Sequence, residues 1–76
     1  MADETYYSLL EIPETASTAE IKTAHRRLIS EVHPDRLANA PAYWQRQAEE
    51  KAKEVNEAYT VLSNREKRHL YDSQLA

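Results

Sequence analysis

Among 76 residues there is no glycine, and only three prolines interrupt the chain. Folds built from many short strands turn tightly and often, and their turns draw on glycine for backbone angles that other residues resist. A chain without glycine is expected to run in long helices joined by a few loops. It is long enough for one small domain, of modest stability because a short chain buries only part of its surface. There is no cysteine, so neither a disulfide nor a thiolate metal site can staple the fold.

The apolar residues recur at helical spacing in four places. Tyr6, Tyr7, Leu9 and Leu10 cluster behind Asp3 and Glu4, and acidic residues there suit a helix N-terminus. Ile12-Pro13 ends that segment, because the residue before proline avoids helical angles. Ser17 and Glu20 have the spacing of a reciprocal capping box. Ile21, Ala24, Leu28 and Val32 then form one stripe, and the helix is expected to stop near Val32 because Pro34 cannot continue it. The stretch 36–40 shows no period and reads as a loop. Pro41 suits a first helical turn, and Trp44, Ala48, Ala52, Val55, Tyr59 and Leu62 mark the seam of a long third helix. A second S-x-x-E spacing, Ser63 to Glu66, predicts the start of a last short helix anchored by Leu70 and Tyr71. Packing the two long helices against each other buries both seams. The expected fold is all-α: an antiparallel two-helix hairpin with a short helix at each end of the chain, a single domain over residues 1–76 with its core over 5–72.

Charge narrows the function. Ten basic residues against thirteen acidic leave a net −3, which argues against a general nucleic-acid binder. No apolar run approaches the roughly 20 residues that span a bilayer, and the N-terminus lacks a charged-then-apolar signal pattern. A cytoplasmic monomer without a membrane segment is the expectation. On a helical wheel Lys22, Arg26 and Ile29 lie along one stripe that runs toward His33, a quarter turn or more from the core stripe. Such a cationic strip, leading into an exposed hairpin tip, would steer the module toward an acidic partner surface with an on-rate that falls as salt rises. Arg27 projects to the opposite flank, four residues from Glu31, at the spacing of an ordinary surface ion pair. His33 and Asp35 sit two apart and His25 and His69 add imidazoles, but a two-helix hairpin offers little concavity for catalysis. Histidines in three separate segments without cysteine also make a poor metal site. No enzyme activity, small-molecule substrate, cofactor or metal is expected, and His25 and His69 are assigned solvent-exposed or capping roles.

Five segments occur in order: Y-Y-x-L-L at 6–10, A-E-I-K-x-A-x-R-R-L at 19–28, H-P-D at 33–35, N-E-A-Y-x-V-L at 56–62 and E-K-R-x-L-Y-D at 66–72. A lone H-P-D is weak, but at the end of an amphipathic helix with four flanking segments it is specific. Together they resemble the J-domain of the DnaJ (Hsp40) co-chaperone family over nearly the whole chain. The resemblance implies a module that binds an Hsp70 chaperone such as DnaK and stimulates its ATP hydrolysis, supporting protein folding. It implies that Asp35 presents a carboxylate to a basic group at the junction of the Hsp70 nucleotide-binding domain and its linker. Pro34 would set the loop shape, and His33 would orient the loop and touch the partner. It also places Lys22 and Arg26 in the Hsp70-facing basic set, with Arg27 and His25 as secondary contacts.

The chain departs from the family pattern at several points. His25 stands where many members carry Tyr, which suggests an added pH dependence of binding. Ala52 stands where the third helix usually supplies a core Phe, and Trp44 is the candidate to fill the void. Glu11 replaces a common Gly and Arg65 a common Pro, both read as local turn changes. The stretch after H-P-D is longer than in typical DnaJ proteins and resembles the extended variant of HscB-type and DjlA-type co-chaperones. Two other readings stand beside the co-chaperone one: a helical module using Lys22, Arg26 and Arg36 on nucleic-acid phosphates, and a J-like scaffold that docks a partner without stimulating its ATPase. The chain is expected to be either a piece of a longer protein or a stand-alone J-protein, and the charged ending with no further apolar run fits a cut just past the domain.

Overall fold

The computed structural model describes residues 4–32 and 39–75. These form four helices and no strand: α1 (Tyr6–Leu9), α2 (Thr18–Glu31), α3 (Ala42–Leu62) and α4 (Arg65–Leu75). The all-helical expectation holds with its element order.

Helix α1 is a single turn, capped by Thr5. The Thr5 hydroxyl accepts from the Ser8 N–H at 3.1 Å, and Ser8 Oγ accepts in return from the Thr5 N–H at 2.8 Å. This T-x-x-S box satisfies N–H groups left free at the helix start. The chain leaves α1 through Leu10 and then Glu11, whose φ of 58° is left-handed. That angle explains why a glycine is the easier residue at this position.

Helix α2 begins at the expected box. Ser17 Oγ accepts from the Glu20 N–H at 3.1 Å, and Glu20 Oε1 accepts from the Ser17 N–H at 3.1 Å. The helix ends where expected, with Val32 as its C-cap, donating to the Leu28 carbonyl. Pro41 is the N-cap of α3 rather than part of its first turn, and its carbonyl accepts from the Trp44 and Gln45 N–H groups. The Ser63–Glu66 box does not form. Ser63 is instead the C-cap of α3, and Asn64 caps α4 by accepting from the Lys67 N–H at 3.0 Å. Asn is as good a cap as Ser, and one residue of offset decides which of the two serves.

The core gathers Tyr7, Leu9 and Leu10 from the first segment, Ile21, Ala24 and Leu28 from α2, and Val55, Ala58 and Leu62 from α3, with Ala16 closing it at the turn. His25 faces Asn56 and Tyr59, and Thr18 lies beside Leu62 and Ser63. A step up α2 is therefore a step down α3, and the pair is antiparallel. Counting on in that register brings Glu31 level with about residue 51, so α3 extends about nine residues, roughly 13 Å, past the end of α2.

Trp44 sits on that overhang, and this corrects its assigned role. It keeps the seam spacing of Ala48, Val55 and Leu62, yet it is 59% exposed, with only the Tyr43 ring edge-on at 5.3 Å among the described contacts. It does not fill the space beside Ala52. The other expected anchor that fails is Leu70, which is 63% exposed. Tyr71 alone anchors α4 in the manner expected, stacked on Tyr6 with ring centroids 4.6 Å apart.

Candidate functional site

The candidate residues lie on α2 and at its C-terminal end. Lys22 and Arg26 are exposed, and Ile29, on the same stripe, is half-buried against the core. The basic strip thus borders the packed face without entering it. Its start is held by the Ser17 box, where the Ser17 N–H keeps the Glu20 carboxyl below its usual range. His33, Pro34, Asp35 and Arg36 lie outside the described residues.

Arg27 lies on the opposite flank, but its acidic neighbour is not Glu31. Its guanidinium is 4.0 Å from Glu11, with both side chains more than half exposed, an arrangement that contributes about 0–1 kcal/mol. His69 is exposed, as expected. His25 is half-buried and more engaged than an exposed or capping side chain. Its Nε2 is 2.8 Å from Asn56 Oδ1, and its ring stacks on Tyr59 with centroids 4.1 Å apart and planes 18° apart.

The arrangement that presents α2 includes a residue that periodicity alone does not single out. Arg68, on α4, donates from Nε to the Tyr7 hydroxyl at 3.0 Å and from one terminal nitrogen to the Glu14 and Ala16 carbonyls at 3.0 and 2.8 Å. Those carbonyls belong to the turn that ends at the Ser17 cap, so one guanidinium ties α4 and α1 to the start of α2. Tyr7 donates its hydroxyl to Asp72 at 2.5 Å, and Tyr71 accepts from the Tyr6 N–H at 2.9 Å. Burial, and then donation to the Asp72 carboxylate, push the Tyr7 phenol up from its usual value, with Arg68 opposing. The E-K-R-x-L-Y-D segment therefore has a physical meaning: R, Y and D are the three groups that dock α4. The signal was present as Arg68 and Asp72 four apart on one helix face, opposite a tyrosine pair at the other end of the chain.

Among the described residues no three His, Cys, Asp or Glu side chains gather as a metal ion requires, and no helix is long and apolar enough to cross a membrane. What the described geometry offers is an exposed cationic strip on a helix clamped at its start and docked along one side.

Known proteins are similar to this chain in sequence and in fold. The family model described as the DnaJ domain matches residues 5–72. The chaperone protein DnaJ of a Nitratiruptor species is 53% identical over 72 residues, covering 95% of this chain and 18% of that protein. DnaJ of Fusobacterium nucleatum subsp. polymorphum is 47% identical over 72 residues, with the same coverage of 95% and 18%. The chain thus spans under a fifth of the length of these relatives. Among solved structures, the J-domain of a mouse DnaJ-like protein superposes with a TM-score of 0.85 at 30% identity, over 95% of this chain and 78% of that one. With the family model matched over nearly all of its length, the chain belongs to the DnaJ domain family.

Proposed function

We propose that this domain recruits an Hsp70 chaperone of the DnaK type and stimulates its ATP hydrolysis. The observation that carries the reading is the exposed strip of Lys22 and Arg26 on α2, a helix that ends at Val32, immediately before His33-Pro34-Asp35. Family membership supplies the partner class.

In this reading the strip meets an acidic surface of the chaperone, which raises the encounter rate and sets orientation. Asp35 then presents its carboxylate to a basic group near the interdomain linker, Pro34 restricts the loop through its fixed φ, and His33 orients the loop. Arg27 belongs to the same set as a secondary residue, whereas His25, expected as a second such contact, has its ring on Asn56 and Tyr59 of α3. The domain itself makes and breaks no covalent bond. It binds the hydrolysis-competent state of the chaperone more tightly than the other state, and that difference in affinity is the source of the acceleration. A monomer working in the cytoplasm, without nucleic acid, small-molecule substrate or cofactor, fits this role.

The test is single-turnover ATP hydrolysis by a bacterial-type Hsp70 with the wild-type chain and with His33→Gln. Acceleration by the first and not the second is expected. Equal effects of both, or no effect on several Hsp70 proteins, would refute the reading and leave a docking scaffold.

A further inference from the structure

We infer that His25 is a positioning residue: through Asn56 and Tyr59 it sets the rotation at which α2 presents Lys22 and Arg26, and it does not itself touch the partner. The inference rests on the chaperone-recruiting reading above and deepens it.

Three observations lead there. On the circumference of α2, His25 stands between the core stripe of Ile21, Ala24 and Leu28 and the exposed strip of Lys22 and Arg26. Its ring is turned to α3: Nε2 is at hydrogen-bond distance from Asn56 Oδ1, 2.8 Å, and one face lies on the Tyr59 ring at 4.1 Å. Nε2 and one ring face of the imidazole are thus committed to α3.

The third observation is the character of the remaining α2–α3 contact. Its six buried residues are Ile21, Ala24 and Leu28 on α2 and Val55, Ala58 and Leu62 on α3, with Ile29, Tyr59 and Val61 half-buried beside them. Apolar contacts of this kind have no direction, and two of these six are alanines, which leave shallow surfaces that tolerate rotation. A hydrogen bond and a ring stack at a single position are directional and select one rotation. The consequence for function is geometric. An arginine tip lies about 6 Å from the helix axis, so a turn of ~20° about that axis displaces it by about 2 Å. That displacement exceeds what a charged hydrogen bond tolerates.

The test uses the whole 76-residue chain with His25→Phe, Asn56→Leu and the double substitution. His25→Phe keeps a ring for Tyr59 and loses the hydrogen bond; Asn56→Leu removes only the acceptor. In single-turnover ATPase assays, at a temperature where circular dichroism shows every variant folded, each single change is expected to raise the half-saturating concentration about 3- to 10-fold. The plateau rate should be unchanged, and the double variant should be no worse than the poorer single one. Weakening by His25→Phe with Asn56→Leu neutral would show direct contact and overturn the proposal. Residual dipolar couplings on the free chain decide it independently of any chaperone. The α2–α3 orientation is expected to change by about 10–20° in both single variants, and an unchanged orientation would overturn the proposal. A wild-type chain that stimulates no Hsp70 would refute the functional reading alone, because the couplings still decide the positioning.

Discussion

Replacing Arg68 tests whether a single guanidinium holds the ends of this domain together. It donates to the Tyr7 hydroxyl and to the Glu14 and Ala16 carbonyls, with Asp72 4.0 Å away, and its side chain is 20% exposed. Hydrogen bonds to a charged group contribute about 1.5–3 kcal/mol each. The three share one donor group that is still partly hydrated and are not additive, and the Asp72 pairing adds about 0–1 kcal/mol. Arg68→Met keeps the apolar stem and removes all three, and is expected to destabilise by about 3 kcal/mol. Against a total of roughly 4–11 kcal/mol for a domain of this size, that is a large fraction, equivalent to a fall in Tm of roughly 12–24 °C. Arg68→Lys keeps the charge but not the planar fork, so one ammonium cannot serve the phenol and both carbonyls. About half the loss, ~1.5 kcal/mol, is expected. Urea denaturation followed by far-UV circular dichroism measures both. A lysine variant within ~0.5 kcal/mol of wild type would show that charge alone suffices, and a methionine variant equally stable would refute the clamp itself.

Other consequences can be checked in the same assay. Glu11→Gly removes a side chain from a left-handed φ of 58° and should stabilise by about 1 kcal/mol, since the relief of the αL clash exceeds glycine's extra freedom when unfolded; a loss of stability would contradict this. Trp44→Ala should change stability by less than ~0.5 kcal/mol, against the ~3–5 kcal/mol of a truncated core aromatic, because the side chain is 59% exposed. Tyr7 is raised above its usual value of 10.0, first by burial and then by Asp72. Its neutral form is therefore favoured by folding, a contribution fully present below the unfolded pKa and lost as pH rises through the folded one. The stability advantage of wild type over Tyr7→Phe should accordingly be constant below about pH 10 and shrink above it; an advantage unchanged on the alkaline side would count against the assignment.

Local rules were readable wherever one short stretch of chain contained the whole interaction. The Ser17–Glu20 box, the end of α2 at Val32 and the seam of Val55 and Leu62 all depend on residues within a turn or two of each other, and the structure bears them out. The cap of α4 was misread by one residue, since Asn64 obeys the same chemistry as the Ser63 expected in its place, and the Thr5–Ser8 box of α1 was not read at all. The candidate strip was equally legible, because Lys22 and Arg26 need only the helix period to share a face.

What pattern alone determined is the set of elements: no glycine, apolar positions at three- and four-residue spacing and a capping box at the start of α2 leave little but helices, and spacing assigns each residue to a face. It could not determine which faces find partners. Trp44 lies on the correct stripe and is exposed because α2 is seven residues shorter than α3, 14 against 21, a relation between two elements that neither contains. Arg68 reads as one more surface cation until folding brings it to two carbonyls more than fifty residues earlier in the chain. His25 likewise acquires its meaning from Asn56 and Tyr59 across the helix pair. Periodicity is a property of neighbours in sequence, whereas burial and long-range hydrogen bonds depend on where the other helix ends, and only the assembled tertiary structure decides that.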